Sequence, residues 1–171
     1  NRSLSEFTGL IASAGIACVL DIRKMPMSRA NPQFNKDSLA GALRECGVAY
    51  RHLARLGGLR GKDWHVAPKV NALWQNRSFH NYADYALSPD FRAGLNEAMT
   101  EGRARRCTLM CSEALWWRCH RRIVADYLIA ADWPVFHIMA EGRFDPAALT
   151  TGAEVAGDGR IFYPAPPDSE A

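Results

Sequence analysis

The stretch IACVLDIR, residues 16–23, is almost continuously apolar until an aspartate and an arginine interrupt its end. A run this short, without polar alternation, suits a strand covered on both faces, as in a parallel sheet packed between helices. Its surroundings agree. Ser3 and Glu6 have capping-box spacing, and Leu4, Phe7, Leu10, Ile11 and Ala14 trace one helical face up to Gly15. Downstream, a loop rich in Pro, Ser and Asn runs to Asn35. Residues 37–46 then carry a second helical face, Leu39, Ala42, Leu43 and Cys46, stopped by Gly47.

The alternation continues. VAYRHL (48–53) predicts a second strand, and residues 54–77 a long irregular excursion with Gly57, Gly58, Gly61 and Pro68 among basic and aromatic residues. Helical patterning returns over 80–87. It returns again after Ser88, an N-cap before Pro89, with Phe91, Leu95 and Met99 aligned and Gly102 as the end. RCTLMC (106–111) predicts the third strand, 119–131 a helix with Ile123, Val124, Tyr127 and Leu128 inward, and PVFHIM (134–139) the fourth strand. Such alternation predicts an α/β protein, a three-layer Rossmann-like fold with a mostly parallel sheet flanked by helices. Residues 1–145 are expected to form a single domain. Residues 146–171, Ala, Gly, Pro and acid without a period, are expected to be a loosely ordered tail.

Composition narrows the function classes. With 171 residues, 48% of them hydrophobic and 23% charged, the chain falls in the ordinary globular range. No apolar run approaches the roughly 18 residues of a membrane span, so no membrane partner is expected. Cys18, Cys46, Cys107, Cys111 and Cys119 make an odd set without the spacing of a disulfide framework, and no secretory leader is recognisable. Reduced thiols in a cytoplasm are the expectation, with Cys18, Cys46 and Cys107 as buried packing groups. A net charge of +3 does not by itself identify a nucleic-acid partner.

Ligands of open α/β sheets bind beyond the carboxyl ends of the strands. Strand one ends there in Asp21 and Arg23, strand two in Arg51 and His52, strand three in Cys111 with Ser112 and Glu113 following. Lys24, Arg29, Arg55, Arg60, Lys62, Arg118, Arg121 and Arg122 lie on the connecting loops, bringing about half of the 21 basic residues to one predicted edge. Guanidinium groups offer paired donors that match phosphate or carboxylate oxygens. Phe34, Trp64, Trp74, Trp116 and Trp117 lie on or near the same loops, and bases stack on such faces.

LMCSEALWWRCHRR (109–122) concentrates the chemistry. Cys111 closes a strand, and Arg118, His120, Arg121 and the start of the next helix are placed to lower its pKa. Glu113 can then give or take a proton. The glycine-rich loop of cysteine phosphatases and rhodaneses is absent from CSEALWWR. Cys111, Cys119 and His120, with Glu113, are also candidate metal ligands. Against that stand the missing CxxC and HxxxH pairs, and the divergence of about 100° expected for adjacent Cys119 and His120 on a helix. No cofactor is predicted, with zinc as a minor alternative. His137, mid-strand among apolar residues, is expected to be a satisfied core group.

The segments DIRKMPMSR (21–29), FN (34–35), YRHLARLGG (50–58), LMCSEALWWRCHRRIVADYL (109–128) and VFHI (135–138) together resemble the bacterial and other prokaryotic domain-of-unknown-function 488 proteins. The resemblance implies a small α/β domain in which Asp21, Arg23, Ser28, Gly57, Gly58, Cys111, Glu113, Cys119, His120 and Arg121 hold signature positions. It also implies a short strand with a TIGHS-like segment before the first helix. This chain opens on NRS, so that strand is expected to be missing.

The expected function is that of an enzyme, a hydrolase or transferase, acting on a phosphate-containing substrate such as a nucleotide or nucleic acid. Asp21, Cys111, Glu113 and His120 are its candidate catalytic residues. Arg23, Ser28, Arg29, Phe34, His52, Gly57, Gly58, Cys119 and Arg121 are candidate binding residues. The alternative is a non-catalytic module that binds nucleic acid or another anion.

Overall fold

The apolar run at 16–23 supplies the middle strand of the sheet. The computed structural model describes residues 2–166. Helix α1 (Leu4–Ser13) leads into strand β1 (Cys18–Asp21), and helix α2 (Lys36–Glu45) into strand β2 (Ala49–His52). The long excursion carries only short 3-10 turns, Ala54–Leu56 and Pro68–Asn71, before α3 (Arg77–Ala86) and α4 (Pro89–Ala104). Strand β3 (Cys107–Met110) and α5 (Arg121–Ala130) follow. β1 pairs in parallel with β2, placing Asp21 opposite His52, and with β3, placing Asp21 opposite Met110. The order β2-β1-β3 therefore brings three carboxyl ends to one edge.

Period-two alternation along β1 builds the layers. Cys18, Leu20 and Ile22 pack with Phe91 and Leu95 of α4 and Ile123 and Val124 of α5. Val19 points the other way, onto Ile11 of α1 and Leu39 and Leu43 of α2. Helices thus cover both faces of an α/β protein, and each large aliphatic side chain so buried stabilises it by about 1.5–3 kcal/mol. The cap at Ser3 forms as its spacing predicts: its Oγ accepts the Glu6 N–H at 3.2 Å and the Glu6 carboxylate accepts the Ser3 N–H at 2.6 Å. No helix among the described residues is long and apolar enough to cross a membrane.

Several expectations need correction. The fourth strand, β4 (Phe136–Ala140), does not join the parallel sheet; it folds back on β5 (Arg143–Pro146) as a separate antiparallel hairpin. Gly142, at φ 69°, makes the tight reversal available, and closing so short a loop costs little entropy. The outer edge of β3 has no ladder partner among the described residues. α4 continues through Gly102, where a Cβ would come within 2.8 Å of the Trp133 ring, so this glycine makes room for packing and does not end the helix. Cys46 is exposed at the end of α2, not buried.

The expected loose tail is also overturned for its described part. A two-stranded hairpin, β6 (Glu154–Val155) and β7 (Ile161–Phe162), forms there, and the side chains of Ile161 in β7 and Tyr163 just after it are completely buried. Tyr163 donates its hydroxyl to Asp126 at 2.9 Å and its N–H to Asn71 Oδ1 at 3.1 Å, and Asn71 donates to Asp84 at 2.7 Å. Thr150 donates its N–H to the other Asp126 oxygen at 2.8 Å. The last segment therefore ties the 54–77 excursion to α3 and α5. Expected tail residues 167–171 lie outside the described residues. Tyr163→Ala should destabilise the protein by about 3–5 kcal/mol, as burying an aromatic ring implies. Urea unfolding measures this, and a loss below about 1 kcal/mol would show that the segment is not part of the core.

Candidate active site

The carboxyl end of β1 is the anchor of the site. Asp21 and Arg23, two residues apart and both buried, form a chelated ion pair: Arg23 Nε lies 2.9 and 3.1 Å from the two carboxylate oxygens and Nη2 lies 2.5 Å from Oδ2. Tyr50 on β2 donates its hydroxyl to Oδ2 at 2.6 Å, and the Arg23 N–H donates to Oδ1 at 3.0 Å. A second Nη2 bond, 2.8 Å to the Phe34 carbonyl, holds the loop before α2. Every charge-bearing oxygen here is matched, which is what makes an ion pair tolerable inside a protein. Both oxygens of Asp21, expected to be an acid or base, are hydrogen-bonded to Arg23 and Oδ2 also to Tyr50.

His52 was expected to meet the ligand; its Nε2 instead lies 2.9 Å from the Arg23 carbonyl, behind the ion pair. Gly57 and Gly58 likewise serve packing. A Cβ on Gly57 would lie 2.8 Å from the Lys24 backbone, and one on Gly58 would lie 2.9 Å from His120 Nδ1. The excursion can therefore press against both the first loop and the start of α5. Ser28 takes the Asn31 N–H on its Oγ at 3.1 Å, while its own N–H bonds Asn35 Oδ1 at 2.6 Å.

Cys119 and His120 sit before α5, which starts at Arg121, two residues later than expected. Cys119 is extended (φ −126°, ψ 146°) and His120 is the N-cap (φ −57°, ψ −14°). Their side chains consequently converge instead of diverging as they would within a helix. The Cys111 and Cys119 sulfurs and a His120 ring nitrogen all lie within 4.8 Å of one another. His120 Nδ1 is 4.0 Å from Cys111 Sγ and 3.7 Å from Cys119 Sγ, and Nε2 is 3.2 Å from the Ile22 carbonyl. A carbonyl only accepts, so Nε2 carries a proton and Nδ1 faces the sulfurs. The ring is held further by Gly58 and by Tyr82, whose centroid is 4.7 Å away.

This environment separates the thiols. Burial raises Cys18 and pushes Cys107 up to about 12. Cys111 goes the other way, held far below its ordinary value by the Cys119 thiol, the His120 ring and the Glu113 N–H, all of which favour its thiolate. Cys119 rises in turn, because it is the proton donor to that thiolate and is buried. Expected to bind substrate, Cys119 instead stands behind Cys111 and accepts from Arg121 Nε at 3.4 Å. Arg121 Nη2 also donates to the carbonyls of Glu113 and Ala114, fastening the loop that follows the thiol. That loop is pinned from outside by Trp116, stacked on His137 at 3.8 Å with an interplanar angle of 6°. His137 is half-buried, and burial together with the Arg121 charge lowers its pKa.

Of the three converging groups, Cys111 alone opens into a cleft of about 200 Å³ along the free edge of β3. Phe7, Leu10, Phe34 and Ile138 form apolar walls; Arg2, Arg23, Ser28, Asn31, Glu113 and Arg121 supply the polar lining. The Glu113 side chain is exposed and has no hydrogen-bond partner among the described residues. Arg29 is exposed outside the cleft lining. Tyr50 and Asn31 escaped the sequence reading. Tyr50 was detectable, because it lies two residues before His52 and so shares its strand face. Cys111, Cys119 and His120 are also a donor set able to hold a thiophilic cation, with the cleft as the open position.

A family model described as Domain of unknown function DUF488 matches residues 3–128. Curated proteins and solved structures contain no match to the chain. Because the thiolate is the reactive form and its pKa is depressed, alkylation of Cys111 by iodoacetamide should stay fast as the pH is lowered from about 8 to about 5. His120→Ala should move the fall-off toward higher pH. Peptide mass spectrometry of the alkylated protein checks both, and a rate that drops tenfold per unit below about pH 8, like a free thiol, contradicts the assignment.

Proposed function

The chain belongs to the DUF488 family, and from the chemistry of its site we propose a thiol-dependent hydrolase or transferase acting on a phosphate-containing substrate. The carrying observation is the convergence of Cys119 and His120 on the Cys111 sulfur, which lines an open cleft. In a Rossmann-like reading of the layers, the sulfur lies just beyond the carboxyl end of β3, where a substrate in the cleft along that strand can reach it. In this reading Cys111 attacks the electrophilic centre, forming a bond from sulfur while the bond to the leaving oxygen breaks. Glu113 delivers the proton that the leaving oxygen takes up. The same carboxylate then removes a proton from water or an acceptor hydroxyl, which displaces the sulfur and restores the thiolate. Arg121 and Arg2 at the cleft bring positive charge to an anionic group, while Arg23, neutralised by Asp21, shapes the wall.

A second reading rests on the same three atoms. Zinc bound by Cys111, Cys119 and His120 would leave one position open to the cleft, and the Nε2–H bond to the Ile22 carbonyl is the outer-shell contact that orients such a ligand. Elemental analysis separates the two. The thiolate reading expects less than about a tenth of an equivalent of zinc in purified protein; about one equivalent would replace it. With nucleotides and sugar phosphates screened by thermal shift, a ligand of the folded state should raise the melting temperature. Against a substrate so found, Cys111→Ser and Glu113→Gln should each lower turnover by at least about 100-fold while ligand affinity holds within a few-fold. Unchanged turnover in either variant would remove that residue from the mechanism.

A further inference from the structure

We propose that the loops surrounding the thiol form a docking rim for single-stranded nucleic acid, so that the phosphate-containing substrate is a polynucleotide strand. The proposal deepens the preceding reading and rests on it for the reaction, but its evidence lies in other residues. Among the described residues, six of the nine exposed large hydrophobic side chains fall on the three loops that leave the carboxyl ends of β1, β2 and β3. Met27, Leu59, Trp64 and Trp117 are among them, with Trp64 at 80% and Leu59 at 86% exposure. These loops meet one another: Gly57 presses on the Lys24 backbone and Gly58 on His120. The apolar display is therefore concentrated on these three loops, outside the lining of the Cys111 cleft.

Leu59 adds an independent sign. Its φ is 57°, a left-handed conformation unfavourable for a leucine, yet the side chain buries nothing in return. Backbone held in such a region while presenting a side chain to solvent is characteristic of binding loops. The loop keeps this shape because Arg60 bonds the carbonyls of Gly57, Ala54 and Arg55 and lies 3.6 Å from the Tyr85 ring. An open hollow of about 310 Å³ lies alongside, lined by Arg60, Lys62, Trp64, His65 and Tyr85.

Charge selects the occupant. Lys62 Nζ lies 3.9 Å over one face of the Trp64 ring, and the largely exposed ring offers its opposite face to a base while the cation can meet a flanking phosphate. Lys24, Arg29 and Arg118 are exposed on the same three loops. The acids there are few: Asp63 is already bonded by His65, and Glu113 belongs to the reaction. A duplex hides its base faces, whereas a single strand exposes them to Trp64, Leu59 and Met27. Anionic lipid could use the same charges, but the hollow beside Trp64 is concave, which fits a base better than a flat headgroup layer.

Fluorescence anisotropy with a fluorescein-labelled thymidine oligonucleotide of about 15 nucleotides tests this. The wild-type chain should bind it more tightly than a duplex of the same length, with affinity falling as salt rises. Trp64→Ala should weaken binding about tenfold at an unchanged melting temperature. Arg29→Ala and Lys62→Ala should each flatten the logarithmic salt dependence by roughly 0.7. Absence of binding at low salt, equal affinity in Trp64→Ala, or binding only to phosphatidylserine vesicles would overturn the rim. Cys111→Ser separates the two readings, since it should bind the oligonucleotide normally. Lost strand binding with a reactive Cys111 overturns the rim alone; strand binding with an inert Cys111 supports the rim and overturns the thiolate mechanism.

Discussion

Three consecutive residues at the end of β1 organise everything that converges on the sheet edge. The Asp21 carboxylate holds Arg23 and Tyr50, the Ile22 carbonyl holds His120, and the Arg23 carbonyl holds His52. Their main-chain groups continue the sheet as well, with Ile22 bonded to Met110 and Leu53 to Asp21. A central strand with neighbours on both sides is the stiffest place in such a fold, and side-chain geometry set from it carries little slack. The buried ion pair matters for this reason. Its net contribution to stability is small against the desolvation of both charges, but it fixes the positions of the loops leaving β1 and β2.

The thiol site follows from that anchor by a change of backbone conformation lasting two residues. One extended residue and one αR residue before α5 turn Cys119 and His120 toward a common point, while Arg121, the first helical residue, reaches back to the preceding loop. Cys111 arrives there from the edge strand. A sulfur at a strand end, a second thiol behind it and an imidazole fixed by a carbonyl are each ordinary; their effect comes from sharing a volume from which water is partly excluded. The neighbouring thiol and imidazole lower the pKa of Cys111, which faces the cleft, while burial beside Cys111 raises that of Cys119.

Much of this architecture was legible in the chain. Continuous apolar runs marked the buried strands, capping residues at Ser3 and Ser88 marked helix starts, and the strand-end rule placed Asp21, His52 and Cys111 on one edge. The failures share a cause. Cys119 is extended beside an Arg121 that bonds a carbonyl eight residues back, and the Asp21 carboxylate also takes the hydroxyl of Tyr50, 29 positions away. Neither fact is local. The Asp21–Arg23 spacing of two was itself a signal of a shared strand face, and so was the apolar spacing of Ile161 and Tyr163. The latter was outweighed by the glycines and prolines around it. β4 was identified as a strand correctly, but a run of residues does not disclose its partner, and the nearest one prevailed.

Tyr163 has a consequence for how the protein comes into being. Asn71, on the excursion that shapes the site, depends on a residue 92 positions later for the bond to its amide oxygen, and Leu73 donates its N–H to the carbonyl of that same residue. During synthesis the strands and α5 leave the ribosome first and can collapse together, while the excursion still lacks its strap. The segment around Asn71 and Leu73 therefore gains these bonds only once residue 163 has emerged, after the strands of the parallel sheet and α5.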